Sequence, residues 1–147
     1  MRVRALSVLL AAGSPADIAR GAVAGTEELE ACRVEVNAEL ARVSRIAPQI
    51  RREVAIIRFS SAAQIHPLIA TRWAERLAPK IVLAANDGFI PGRVNFALRS
   101  ATPRDLLAFL RVLPLGHVEG EFANGHPRAT GGSVPVSEFD RLLSVLA

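Results

Sequence analysis

The sequence lacks the cysteines of disulfide-bonded and zinc-binding proteins and the long apolar runs of membrane proteins. Its 147 residues include one cysteine, Cys32, which excludes an internal disulfide and a cysteine-based zinc site. No apolar run reaches the ~20 residues of a membrane-spanning helix. We therefore expect a cytoplasmic protein with no membrane partner. The apolar stretch at 5–13 follows two arginines, so a short signal peptide is the alternative interpretation of that segment.

Motifs of common catalytic sites are also missing. The three histidines, His66, His117 and His126, lie far apart in the sequence. There is no zinc-protease motif, Asp-His-His run, nucleophile elbow or phosphate-binding loop. Acidic residues fall mostly in the first turns or on the solvated faces of predicted helices, where capping is their ordinary role. We therefore predict a non-catalytic chain without a metal site or cofactor of its own.

Aromatic residues are few and the basic residues are almost all arginines. The chain has six phenylalanines, one tryptophan and no tyrosine, so any binding to nucleic acid is expected to involve the backbone rather than base stacking. The net charge is +4, and Lys80 is the single lysine among 18 basic residues. Arginine suits phosphate geometry. A compositional bias of the genome explains the same pattern equally well.

The order of apolar patterns predicts a helical segment followed by an α/β domain. Residues 1–52 have the three-to-four-residue spacing of helices and are predicted to form an N-terminal helical connector. Residues 53–147 alternate strands with helices, which predicts an α/β fold with a mixed β-sheet and flanking helices. The predicted strands are 54–59, 81–86, 93–100 and 133–136. The predicted helices are 65–78, 105–113, opened by Thr102 and Pro103, and a last one capped by Ser137.

The segment GEFANGHPRATGGSVPV, residues 120–136, concentrates glycines and contains a histidine. Glycines at 125, 131 and 132 predict main-chain amides that face an anion, and a short helix near Pro127 would add its dipole. The side chains expected to donate to phosphate oxygens are His126, Arg128, Thr130 and Ser133. A plain glycine-rich turn is the alternative interpretation.

Two further positions are weaker candidates. Arg99 and Ser100 end the third predicted strand, where an arginine either contacts a phosphate or simply meets water. His66 precedes Pro67 at a predicted helix start, a position more typical of a cap than of a ligand.

Four stretches, in order, carry a family resemblance: IHPLIATRWAERL, GRVNFALRS, RDLLAFL and GHPRATGG. Together they resemble the C-terminal DHH-associated domain of the DHH phosphoesterase superfamily, with RecJ-like exonucleases as the nearest members. The resemblance implies a strand that ends in an arginine-serine pair and a glycine-histidine loop that contacts substrate phosphate. The implied site consists of Arg99, Ser100, Asn124, Gly125, His126, Arg128, Thr130, Gly131 and Gly132. Asn124 and Thr130 depart from the family's glycine and alanine.

The resemblance also implies what the chain does. The family's manganese ligands belong to an N-terminal catalytic domain, and residues 5–50 resemble the region that follows that domain. We therefore expect a domain that binds single-stranded nucleic acid or nucleotide phosphate without cleaving it. One alternative is a replication scaffold that binds GINS in an archaeal replicative helicase complex. The other is a fragment of a complete exonuclease or phosphodiesterase.

Overall fold

A computed structural model describes residues 2–146 of the chain, which divide into two compact units, one ending at Ala38 and one beginning at Glu39. The helices are α1 (Arg2–Ala11), α2 (Pro15–Ala19), α3 (Thr26–Val43), α4 (His66–Arg76), α5 (Leu106–Arg111) and α6 (Val136–Val145). The strands are β1 (Gln49–Arg51), β2 (Val54–Phe59), β3 (Ile81–Asn86), β4 (Arg93–Arg99), β5 (Glu121–His126) and β6 (Ala129–Pro135). No helix within residues 2–146 combines the length and the hydropathy that a bilayer crossing requires.

The first unit contains α1, α2 and most of α3. In α2, Asp17 accepts hydrogen bonds from Ser14 Oγ at 2.9 Å and from Arg20 Nη2 at 2.7 Å, and both bonds lower the pKa of its carboxyl. Three leucines of α1, Leu6, Leu9 and Leu10, expose more than half of their surface. The unit therefore presents an apolar helix face to its surroundings.

The second unit is built on a six-stranded sheet in the order β1-β2-β3-β4-β6-β5. β2 and β3 are parallel and are connected by α4, whereas all other neighbours are antiparallel. The long apolar β2 and β3 are buried almost throughout, as expected for strands covered on both faces. The sheet confirms the predicted α/β fold with a mixed sheet and an N-terminal helical part.

The two faces of the sheet are covered unequally. On one face, α5 and α6 pack into a core through Leu106, Leu110, Phe139 and Leu142. On the other face, α4 packs against β3 and β4, with Ile69 and other side chains buried. The strands beyond it on this second face, β6 and β5, line an open cleft. The fold thus leaves one half of one face accessible.

Several local predictions were wrong. Residues 49–51 form the edge strand β1 rather than part of a helical segment. The cap of α5 is Asp105, whose carboxylate accepts from the amide of Ala108, and the cap of α6 is Pro135, with no side-chain bond. The glycine-rich segment is a β-hairpin, so no helix begins near Pro127. Strand pairing across the hairpin overrides the local turn signals there.

Gly131 and Gly132 lie inside β6, between β4 and β5. A Cβ atom at Gly131 would overlap the carbonyl oxygen of Phe96, and one at Gly132 would overlap the carbonyl oxygen of Glu121. Neither glycine is required for positive φ. They are required because the neighbouring backbones approach too closely for any side chain.

We expect Gly131→Ala to lower the free energy of unfolding by more than about 2 kcal/mol, because the obstructing atom belongs to a central strand and cannot move away. Gly116→Ala is the control. That residue has φ +63° and no atom near its Cβ position, so it should cost only about 1 kcal/mol of backbone strain. Urea unfolding followed by circular dichroism measures both. An equal or smaller loss for Gly131→Ala would contradict the steric explanation.

Candidate functional site

The cleft lies on the open half of the sheet, beside the first turn of α4, and has a volume of roughly 280 Å³. This volume is near the lower end of the range that holds small ligands, ~300–1,000 Å³. Its lining comes from the start of α4 (Gln64, His66, Pro67), from β4 (Asn95, Phe96, Ala97, Arg99), from β5 (Glu121, Asn124) and from β6 (Ala129, Thr130, Gly131, Gly132, Ser133). Small residues make the floor and polar residues make the walls.

Strand register explains which side chains face the cleft. Side chains alternate between the faces of a sheet, and Asn95, Ala97 and Arg99 of β4 pair with Ser133, Gly131 and Ala129 of β6. These six positions therefore share the open face, whereas the intervening residues of β4 belong to the α5–α6 core. The missing side chain of Gly131 leaves the floor low at its centre.

Arg99 is the cation of this cleft. Its Nη1 donates to the carbonyl oxygen of Leu98 at 2.7 Å and reaches that of Thr130 at 3.4 Å. Partial burial lowers the pKa of its guanidinium. Among the described residues, no carboxylate forms an ion pair with Arg99. A half-buried guanidinium with two backbone contacts retains donors for an anion.

His66, the first residue of α4, is 6% exposed and lines the cleft. Burial, and secondarily the positive charge of Arg99, lowers the pKa of its imidazole to about 4. The ring is therefore neutral at physiological pH. Its buried Nδ1 has no hydrogen-bond partner, which leaves a polar atom desolvated at a typical cost of about 1–3 kcal/mol.

Asn95 is a second buried polar residue whose hydrogen-bonding groups are not all paired. It is 6% exposed, and its Oδ1 also lacks a partner. The neighbouring asparagine, Asn86, is different. Its amide exchanges bonds of 2.9 Å with the amide and the carbonyl of Ser61, and donates to the carbonyl of Ala63 at 2.9 Å. Asn86 is therefore fully hydrogen-bonded, whereas Asn95, which lines the cleft, has a buried acceptor without a partner.

The structure separates the predicted site residues into two groups. Five of them, Arg99, Asn124, Thr130, Gly131 and Gly132, line the cleft. The others lie outside its lining: Gly125, His126 and Arg128 are at the exposed tip of the hairpin, and Ser100 bonds to Thr102. At the tip, the Nδ1 of His126 accepts from the amide of Arg128 at 3.2 Å.

The amides of Gly131 and Gly132 do not form the predicted main-chain nest. β6 is an interior strand, so its backbone groups point in the plane of the sheet toward β4 and β5. The Thr130 hydroxyl is likewise occupied, because it donates to the carbonyl of Asn124 at 2.8 Å. These residues therefore provide no set of free donors, and Gly131, which lies on the open face, lowers the floor of the cleft.

The sequence did not indicate Asn95, Gln64 and Glu121 as site residues, and His66 was only a weak candidate. Ser133, which was expected to donate to phosphate, does line the cleft. Asn95 did carry a signal, because it is the one polar residue in the apolar run VNFAL of β4. The position of His66 at a helix start indicated a cap rather than a ligand, because its burial depends on where α4 packs.

The cleft does not fit the metal that the family resemblance associates with catalysis. Glu121 is its one carboxylate, and no group of three or more His, Cys, Asp or Glu side chains within the described residues is arranged to hold a metal ion.

The buried imidazole makes stability depend on pH. The pKa of His66 is about 4 in the folded chain against 6.5 in the unfolded chain, so only the unfolded chain gains the proton between these values. Folding stability should therefore fall as pH decreases from 6.5 to about 4. We expect wild type to lose about 2–3 kcal/mol more than His66→Gln between pH 7 and pH 4.5 in urea unfolding. Parallel pH profiles for the two proteins would contradict this.

Comparisons with known proteins agree with this fold. No protein-family model matches the chain, and no curated protein matches it. Among solved structures, the chain is similar to RecJ from Thermus thermophilus, crystallised with Mg²⁺, at 19% identity and a TM-score of 0.63. It is also similar to PggH, a pGpG-specific phosphodiesterase from Vibrio cholerae, at 14% identity and a TM-score of 0.51.

Each similarity covers most of this chain but only a smaller part of the solved structure. The similarity to RecJ covers 97% of this chain and 21% of RecJ, and the similarity to PggH covers 82% and 40%. The chain thus spans about a fifth of the length of RecJ and about two fifths of the length of PggH. At these identities the likeness establishes the fold alone, which is similar to part of RecJ and to part of PggH.

Proposed function

We propose that this domain binds a phosphate of single-stranded nucleic acid or of a nucleotide in the cleft on β4, β5 and β6. The observation that carries the proposal is Arg99, a half-buried guanidinium with no carboxylate partner among the described residues, beside a floor of small residues. Burying a charge without a counter-charge is unfavourable, so binding an anion beside Arg99 relieves an energetic cost. The RecJ-like fold supports the choice of a nucleic-acid phosphate.

The surroundings of Arg99 favour a phosphate over a smaller anion. Ala97, Ala129 and Gly131 form an open floor that a bulky tetrahedral group can approach. His66 is neutral and therefore neither attracts nor repels the ligand's charge. At the hairpin tip, Arg128 is exposed and extends the positive surface beyond the cleft. A strand of nucleic acid would thus contact one half-buried and one exposed arginine.

The proposal assigns binding, not hydrolysis, to this cleft. In-line attack on a phosphodiester at a two-metal site requires several carboxylates to hold the ions. Glu121 alone is present in the lining. In this proposal, any cleavage of the bound strand is performed by residues outside the cleft, on another domain or another polypeptide.

We expect Arg99→Gln to weaken binding of a 5′-labelled single-stranded 15-mer about tenfold or more, because a charge-assisted contact is lost. The slope of log affinity against log salt should also become shallower by about 0.7 per lost phosphate contact. Arg111→Gln is the matched control, since Arg111 lies on α5, on the opposite face of the sheet. Fluorescence anisotropy at several salt concentrations measures both quantities.

Three outcomes would contradict the proposal. The first is equal affinity for wild type and Arg99→Gln, and the second is an equal loss in the Arg111→Gln control. The third is shortening of the labelled strand by purified wild type in the presence of manganese, which would overturn the assignment of binding without hydrolysis.

The apolar face of α1 favours a second candidate, a scaffold that binds a partner protein such as GINS. Leu10 is 77% exposed on this face, and a contiguous apolar surface is typical of a binding site. We expect Leu10→Glu to reduce the affinity for purified GINS at least tenfold in biolayer interferometry, whereas Val112→Glu, an equally exposed position on the second unit, leaves it unchanged. No binding of GINS by wild type would exclude this candidate.

A further inference from the structure

The cleft contains two buried polar atoms that the phosphate proposal does not use. They are Nδ1 of His66 and Oδ1 of Asn95, and neither has a hydrogen-bond partner among the described residues. Both residues are more than nine-tenths buried, and both line the same cleft as Arg99. Native proteins rarely leave buried polar groups unsatisfied, so two of them in one cleft point to a ligand that completes them.

The hydrogen-bonding chemistry of the two atoms determines which ligand group can pair with both of them. The Oδ1 of an asparagine accepts and does not donate, so it needs a donor. The imidazole of His66 is neutral at pH 7, because burial and the charge of Arg99 lower its pKa, and its Nδ1 either accepts or donates according to the tautomer. A phosphate oxygen has no proton to give to Asn95. A hydroxyl group both donates and accepts, so it matches both atoms.

A sugar hydroxyl is the group of a nucleotide that meets these requirements beside a phosphate. We propose that His66 and Asn95 form a subsite for a ribose 2′-hydroxyl, so that the domain prefers RNA or ribonucleotides over their deoxy counterparts. The inference rests on the proposed function, in which Arg99 holds the neighbouring phosphate. The 2′-hydroxyl is the group through which proteins distinguish RNA from DNA.

The arrangement of the fold fits this assignment. His66 begins α4 and Asn95 lies on β4, and these two elements pack directly against each other. Arg99 follows Asn95 by four residues on the same strand face, about 13 Å along the strand. The guanidinium therefore reaches a phosphate beyond the sugar, while the sugar itself lies toward α4.

The test compares fluorescently labelled pentamers of uridine and 2′-deoxyuridine by anisotropy. These probes carry the same base and the same phosphates and differ in the 2′-hydroxyl alone. We expect wild type to bind the uridine pentamer about five- to tenfold more tightly, as one or two hydrogen bonds imply. A pentamer of 2′-O-methyluridine should bind no better than the deoxy pentamer, because it keeps the oxygen but has lost the proton that Asn95 needs.

Asn95→Leu removes the hydrogen-bond acceptor and leaves a side chain of similar volume. The affinities for the uridine and 2′-deoxyuridine pentamers should then become nearly equal. The affinity for the 2′-deoxyuridine pentamer itself should fall no more than about twofold. Asn37→Leu, the same change at an exposed position of α3, should keep the wild-type ratio. If Asn95→Leu fails to fold, the 2′-O-methyl probe on wild type still decides the question.

The outcomes separate the two proposals. Equal binding of ribose and deoxyribose pentamers, with both weakened by Arg99→Gln, would overturn the 2′-hydroxyl subsite and leave the phosphate site standing. In that case the two buried atoms hold water. Equally tight binding of the 2′-O-methyl pentamer would also overturn the subsite. Failure of wild type to bind any pentamer would overturn both.

Discussion

The buried amide of Asn86 fixes the loop on which the rest of the site depends. Its oxygen and nitrogen together satisfy the backbone of Ser61, Ala63 and Gly88 at the carboxyl end of β3. This loop leads directly into α4, so it determines where the helix begins on the sheet. Because α4 starts here and packs on β3 and β4, the adjacent β6 and β5 remain uncovered on that face. A buried network with every group satisfied is rigid enough to hold such an arrangement.

The backbone of β6 contacts its neighbours at positions that leave no space for side chains. Gly131 and Gly132 allow the backbones of β4 and β5 to approach β6 at positions where any Cβ would overlap a carbonyl oxygen. The absence of a side chain at Gly131, the one of the two on the open face, leaves the floor of the cleft low. Gly131 therefore serves packing and access together, whereas Gly132 serves packing.

The sequence predicted the regular elements well and the site only in part. Strands β2 and β3 were predicted at their observed bounds, because continuous apolar runs between turn residues are a strong local signal. The hairpin of β5 and β6 was missed, because glycine and asparagine favour turns locally and only pairing with β4 makes them a strand. His66 was interpreted as a cap. Its burial follows from tertiary packing, which no short stretch of sequence encodes.

Charge in the cleft is nearly constant over the physiological range, and this constrains its chemistry. With the pKa of His66 lowered to about 4, the imidazole stays neutral at physiological pH. A protonated His66 would add a second cation and bind any anion more tightly but less selectively. Under the proposed function, a neutral His66 would offer hydrogen bonding without charge, and Arg99 would supply the positive charge in the cleft. Discrimination among phosphate-bearing ligands would then depend on the neutral groups that they present to His66 and Asn95.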